Sequence, residues 1–74
     1  MKGSSYLLKS PTLGILATDN GEDKIPFTIP LHAVVTAGET LDGDIFIEVV
    51  WEGKKILIFT EDLRTRGELI HAAT

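Results

Sequence analysis

Between Asp44 and Phe59 the hydrophobic and polar positions predict two strands around a tight turn. The first runs Ile45-Phe46-Ile47-Glu48-Val49-Val50-Trp51. Glu52-Gly53 turns the chain, and Lys54-Lys55-Ile56-Leu57-Ile58-Phe59 returns it. β-Branched and aromatic side chains dominate both segments, which suits a pleated surface. Successive side chains point to opposite faces, so Ile45, Ile47, Val49 and Trp51 share one face. Phe46 and Val50 share the other, broken by Glu48. On the return strand Ile56 and Ile58 oppose Leu57 and Phe59. Both faces are therefore apolar. A sheet folded over one core needs only one such face, and the second set needs its own cover.

The rest of the chain reads as short strands and turns. Residues 6–9 form a strand that Ser10-Pro11 ends, since proline lacks a donor and restricts its predecessor. Residues 13–18 form the next. Asp19-Asn20-Gly21-Glu22 predicts a type I′ hairpin, because Asn-Gly tolerates positive φ at both central positions. That register opposes Asp19 to Glu22, Thr18 to Asp23 and Leu16 to Ile25. Residues 23–29 return, and Pro26 within them marks an edge strand or a bend. Pro30-Leu31-His32 is a corner, 33–37 a short strand, and 38–44 a polar loop. After Phe59, Thr60 is placed to cap a helical turn over 61–66. Glu61 and Asp62 suit its positive end, Arg64 and Arg66 its negative end. Gly67 is placed for a left-handed stop, and 68–71 form the last strand. The competing reading, a helix over 61–73, carries Gly67 mid-helix at about 1 kcal/mol relative to alanine.

This pattern predicts an all-β domain, a small barrel of five to six short strands with one helical turn before the last. Residues 1–5 read as a flexible lead-in, 6–71 as the single domain and 72–74 as a frayed end. The helical turn before the final strand resembles the SH3-like barrel, in which the last strand pairs with the first. An OB-fold is the next candidate. The runs Ile29-Pro30-Leu31-His32-Ala33-Val34-Val35, Val49-Val50-Trp51-Glu52-Gly53-Lys54 and 59–68 (Phe59-Thr60-Glu61-Asp62-Leu63-Arg64-Thr65-Arg66-Gly67-Glu68) resemble a set of short uncharacterised bacterial proteins. The likeness covers about residues 6–70. It implies a bacterial origin and a small β-barrel, and it brings no activity with it.

Composition narrows the function. A core built from 74 residues rarely supplies more than about 3–5 kcal/mol. There are no cysteines, so no disulfide supports it and no thiolate chemistry is available. Regular strand pairing or oligomerisation must do so. The net charge is −4, and the seven basic residues are scattered along the chain. A nucleic-acid binder would show a basic face, so none is expected as a partner. Nothing approaches the ~18 apolar residues of a membrane span, and the N-terminus does not read as a signal peptide. A cytoplasmic protein is expected.

Candidate chemistry is sparse. His32 and His71 lie far apart, and a zinc site needs three or four converging ligands. Glu39, Asp42 and Asp44 crowd one loop but fall short of a calcium loop. No catalytic residue, cofactor or metal ligand is assigned, and an enzyme is not expected. The assigned residues form an interface: Phe46, Glu48, Val50, Leu57 and Phe59 on the second hairpin face, with Trp51 as a possible anchor beside the turn. Glu48 is either the single polar residue of a half-exposed face or a group that fixes pairing with a partner. A bulge at Gly53 would invert the face assignment and expose Ile56 and Ile58 instead. The expected function is a non-enzymatic protein-interaction module, a homodimer or a small accessory subunit. The alternative is a small-molecule or metal-binding regulator, its site at the barrel mouth near His32, Asp42 and Asp44.

Overall fold

The computed structural model describes residues 2–17 and 24–72. The elements run β1 (Ser5–Leu8), β2 (Thr12–Ala17), β3 (Lys24–Ile29), β4 (Val34–Leu41), β5 (Phe46–Trp51), β6 (Lys54–Phe59), α1 (Thr60–Arg66) and β7 (Gly67–His71). The described residues are all-β apart from that one short helix. Seven antiparallel strands form one sheet in the order β3-β2-β6-β5-β4-β1-β7. That is one or two strands more than expected.

One apolar cluster fills the concave side. It takes Leu8 from β1, Ile29 from β3, Val35 and Ala37 from β4, Ile47 and Val49 from β5, Ile56 and Ile58 from β6, and Leu63 from α1. Ile29 lies near one end of the strand order and Leu8 near the other, so the sheet must curl to bring both into one core. The corner after β3 ties the curl together. Leu8 N donates to Ala33 O at 2.9 Å, and His32 N donates to Leu8 O at 2.8 Å. His32 holds this corner with φ at 72°, a left-handed conformation uncommon outside glycine.

The main hairpin follows the sequence closely. Phe46 opposes Phe59, Ile47 opposes Ile58, and Trp51 opposes Lys54. Glu52 and Gly53 between them have φ of 49° and 77°, the pair of positive values a two-residue hairpin turn requires. No bulge shifts the register, so Ile56 and Ile58 face the core. The Leu16 to Ile25 pairing is present, and Pro26 sits in an edge strand. The Asn20-Gly21 turn with Thr18, Asp19, Glu22 and Asp23 lies outside the described residues, as does the end of the chain at 73 and 74.

Four expectations within residues 38–67 are corrected. Ile45 is not a core residue. It precedes β5 in the turn, donates to Asp42 O and is 53% exposed. Residues 38–41 are not loop but the second half of β4, with a register shift between Ala37 and Thr40. Gly38 lets β4 pass close to β5 there, and an added Cβ would meet Glu48 O at 3.1 Å. Thr60 does not cap the helix. β6 runs straight into it, Phe59 takes the N-cap position, and Thr60 Oγ1 is buried with no partner among the described residues. Gly67 is no left-handed stop, since its φ is −101° and it opens β7. Its small size matters instead, because a Cβ would fall 2.6 Å from Leu63 O.

At the N-terminus, the expected lead-in is tied to β4. Gly3 N donates to Ala37 O at 2.7 Å, Ala37 N donates to Ser4 O at 2.8 Å, and Ser5 already belongs to β1. The helix carries Glu61–Arg64 and Asp62–Arg66 ion pairs, and Arg66 Nη1 reaches Pro11 O at 2.9 Å. Such exposed pairs contribute about 0–1 kcal/mol, so the core cluster carries the fold.

Candidate functional site

The convex side of the sheet is built in rows that cross several strands. Residues opposite each other in an antiparallel ladder share a face. Phe59 opposes Phe46, and Phe46 opposes Leu41, which gives an apolar row across β6, β5 and β4. The next row is Ile15 of β2, Leu57 of β6 and Glu48 of β5. The third is Lys55, Val50 and Thr36. Each strand places these side chains outward because its alternate residues fill the core.

The rows differ in character. The Phe46 and Phe59 rings lie 5.0 Å apart between centroids at 31°, within the range of favourable aromatic pairing. Phe59 is nevertheless 51% exposed, and Leu41 beside the pair is also exposed. Leu13 lies two residues from Ile15 on the same face of β2 and is exposed as well. Phe46, Glu48, Val50 and Leu57 are half-buried by their neighbours. The result is a continuous apolar strip at the Phe59 end, with one carboxylate and one ammonium at its other end.

Glu48 opposes Leu57, while Lys55 opposes Val50 one row away. No ion pair holds Glu48 among the described residues. Its side chain leans toward β4 instead, since a Cβ on Gly38 would lie 3.5 Å from Glu48 Oε1. Elsewhere, the exposed Lys2 ammonium is held above the usual lysine range by its hydrogen bond to Glu39 and by the charge of that carboxylate. That pair joins the N-terminal segment to β4.

The assigned residues thus fall into one group of five with a separate sixth. Phe46, Glu48, Val50, Leu57 and Phe59 lie together on the convex side. Trp51 does not join them. It is half-buried on the core side, 5.6 Å from Phe27 between ring centroids, with Lys54 Nζ 5.2 Å from its own ring. Sequence reasoning missed Leu13, Ile15 and Leu41. The alternation Leu13-Gly14-Ile15 carried a signal for the first two. Leu41 was hidden by the glycine and polar residues before it.

Trp51 instead borders an open surface cleft of about 430 Å³ with Pro30, Leu31, His32, Ala33, Val34 and Glu52. Asp42 and Asp44 do not line it. Among the described residues no three His, Cys, Asp or Glu side chains come together to hold a metal ion. No described helix is long and apolar enough to cross a membrane. Comparison with known proteins finds no matching family model, no matching curated protein and no matching solved structure.

Proposed function

We propose that the protein is a non-enzymatic interaction module of the SH3-like barrel type, working as a homodimer or as a small accessory subunit. The barrel type is supported by the helix between β6 and β7 and by the pairing of β7 with β1. The observation that carries the function is the convex strip of Phe59, Phe46, Leu41, Ile15 and Leu57. Contiguous exposed apolar surface of this kind marks contact sites, and a core this small gains from any further burial. The aromatic pair supplies a rigid anchor, and Glu48 and Lys55 supply polar groups that can fix register. The occupant is another polypeptide chain, either a second copy or a larger protein.

Phe46→Lys with Leu57→Lys tests this. The double variant should lose association through the convex face while keeping β-type circular dichroism, read by light scattering after size exclusion. Unfolding of the variant would show that these residues belong to the core and overturn the reading. An unchanged mass with an intact fold would remove the homodimer built on this face and leave the accessory subunit.

The open cleft beside Trp51 supports a second reading, a small-molecule regulator, because Pro30, Leu31, Val34 and Trp51 give it apolar walls beside the His32 imidazole. A metal site formed with Asp42 and Asp44 gains no such support. Trp51 is the single tryptophan, so its fluorescence reports directly on the cleft. A metabolite that binds there should shift that emission and raise Tm. A broad screen with neither effect removes this reading.

A further inference from the structure

The sheet has two edges, and they are not alike. β3 carries Pro26 at its centre and Lys24 at its start, both of which discourage another strand from pairing. β7 carries no proline and no lysine. Gly67-Glu68-Leu69-Ile70-His71 pairs with β1 on one side, and no described strand covers the other. Leu69 and Ile70 on it are 52% and 49% exposed. An edge with unpaired backbone groups and exposed apolar side chains is a template for a further strand.

The residues of β7 complement a second copy of themselves. Glu68 opposes Leu7 and His71 opposes Ser5, while Leu69 opposes Tyr6. Leu7 and Ser5 lie two apart on β1 and so share a face, which puts Glu68 and His71 on one face of β7. Leu69 lies on the other. The register shift between Ser5 and Tyr6 leaves Ile70 as the extra residue beside it. In an antiparallel pair of two β7 strands, Leu69 of each copy can oppose Ile70 of the other. That register brings Glu68 of each copy opposite His71 of the other. The carboxylate and the imidazole therefore meet twice, related by a two-fold axis.

We propose that two copies of this chain associate edge to edge through β7, continuing the sheet across a two-fold axis with Glu68 facing His71 in both directions. The contact is distinct from the convex strip, so each chain in the pair keeps that strip available. It goes beyond the interaction reading above and does not require it.

The test uses the whole chain and light scattering or sedimentation equilibrium from micromolar to millimolar concentration. The wild type should show a species of twice 8.1 kDa or a multiple of that pair. Phe46→Lys with Leu57→Lys should leave the pair intact. Leu69→Lys with Ile70→Lys should abolish it. His71→Glu sets carboxylates against Glu68 in both directions and should weaken the pair about tenfold, as expected for two cross-strand contacts turned from attraction to repulsion. Adding Glu68→Lys to His71→Glu should restore it. These two positions are exposed, so the exchange is expected to leave the fold unchanged even if the Leu69/Ile70 variant unfolds. A wild type that stays monomeric throughout overturns the proposal. So does a pair that survives His71→Glu unweakened, or one lost on substitution of Phe46 and Leu57 while insensitive to the β7 variants. Loss of only the larger species on substitution of Phe46 and Leu57 would support both contacts.

Discussion

Ile56→Ala should bring the protein close to complete unfolding at room temperature. Ile56 is fully buried at the centre of the core cluster. It sits on β6, between β2 and β5, and opposes Leu16 on one and Val49 on the other. Truncating a buried isoleucine to alanine costs about 2–5 kcal/mol, because the cavity left behind collapses only in part. A domain of this size holds about 3–5 kcal/mol in all. At roughly 4–8 °C per kcal/mol, Tm should fall by about 10–30 °C, or the cooperative transition should vanish. Ile45→Ala is the matched control. The side chain is the same and the sequence pattern assigns it to the same face, but Ile45 is exposed and should change stability by no more than about 0.5 kcal/mol. Thermal melts of the two variants would check the face assignment directly. Equal losses would mean that Ile45 is packed and that the core is drawn wrongly.

The contrast between these two isoleucines shows how far the sequence could be read. Alternation separated Ile47 and Val49 from Phe46 and Val50, and Ile56 and Ile58 from Leu57 and Phe59, because it is a local property of strand geometry, but it left open which face is the core. Phe46, Leu57 and Phe59 were legible as members of one face to that extent, and the whole sheet decided that this face is the convex one. Pro26 marked an edge because the missing donor is also local. Ile45 failed because the period says nothing about where a strand begins. Residues 38–41 failed differently. Glycine, glutamate and threonine have low or mixed strand preference, yet pairing with β5 holds them extended, and tertiary context overrides propensity in strands. Gly67 was noticed for the right reason, its lack of a Cβ, but assigned the wrong consequence. The chain needs its small size against Leu63 O and does not use its access to positive φ. The β7 edge was hidden altogether. Which strands end a sheet depends on the whole strand order, and no window of residues encodes that.

Gly14 gives the sharpest test of that distinction between space and conformation. It lies in β2, opposite Phe27 on β3, where β2 presses against β6. A Cβ added there would come within 2.6 Å of Ile56 Cγ2, 2.7 Å of Ile58 Cγ2 and 2.8 Å of Leu57 O. Two of these atoms are core methyls in a fixed packing and the third is backbone. None can withdraw without moving β6. Forcing an extra carbon into a packed core costs about 1–3 kcal/mol, so Gly14→Ala should lower Tm by roughly 5–20 °C, and larger residues should prevent folding. Gly53 is the opposite case. Its φ is 77° and an added Cβ would touch nothing within 4 Å. There the cost is conformational, and asparagine reaches the left-handed region more readily than other residues. Gly53→Asn should therefore be nearly neutral, while Gly14→Asn should be among the most damaging single substitutions in the chain. Denaturant unfolding of the two asparagine variants reads the difference. If Gly14→Asn were tolerated as well as Gly53→Asn, β2 could not lie this close to β6, and the strand order that places β3 at one edge and β7 at the other would have to be redrawn.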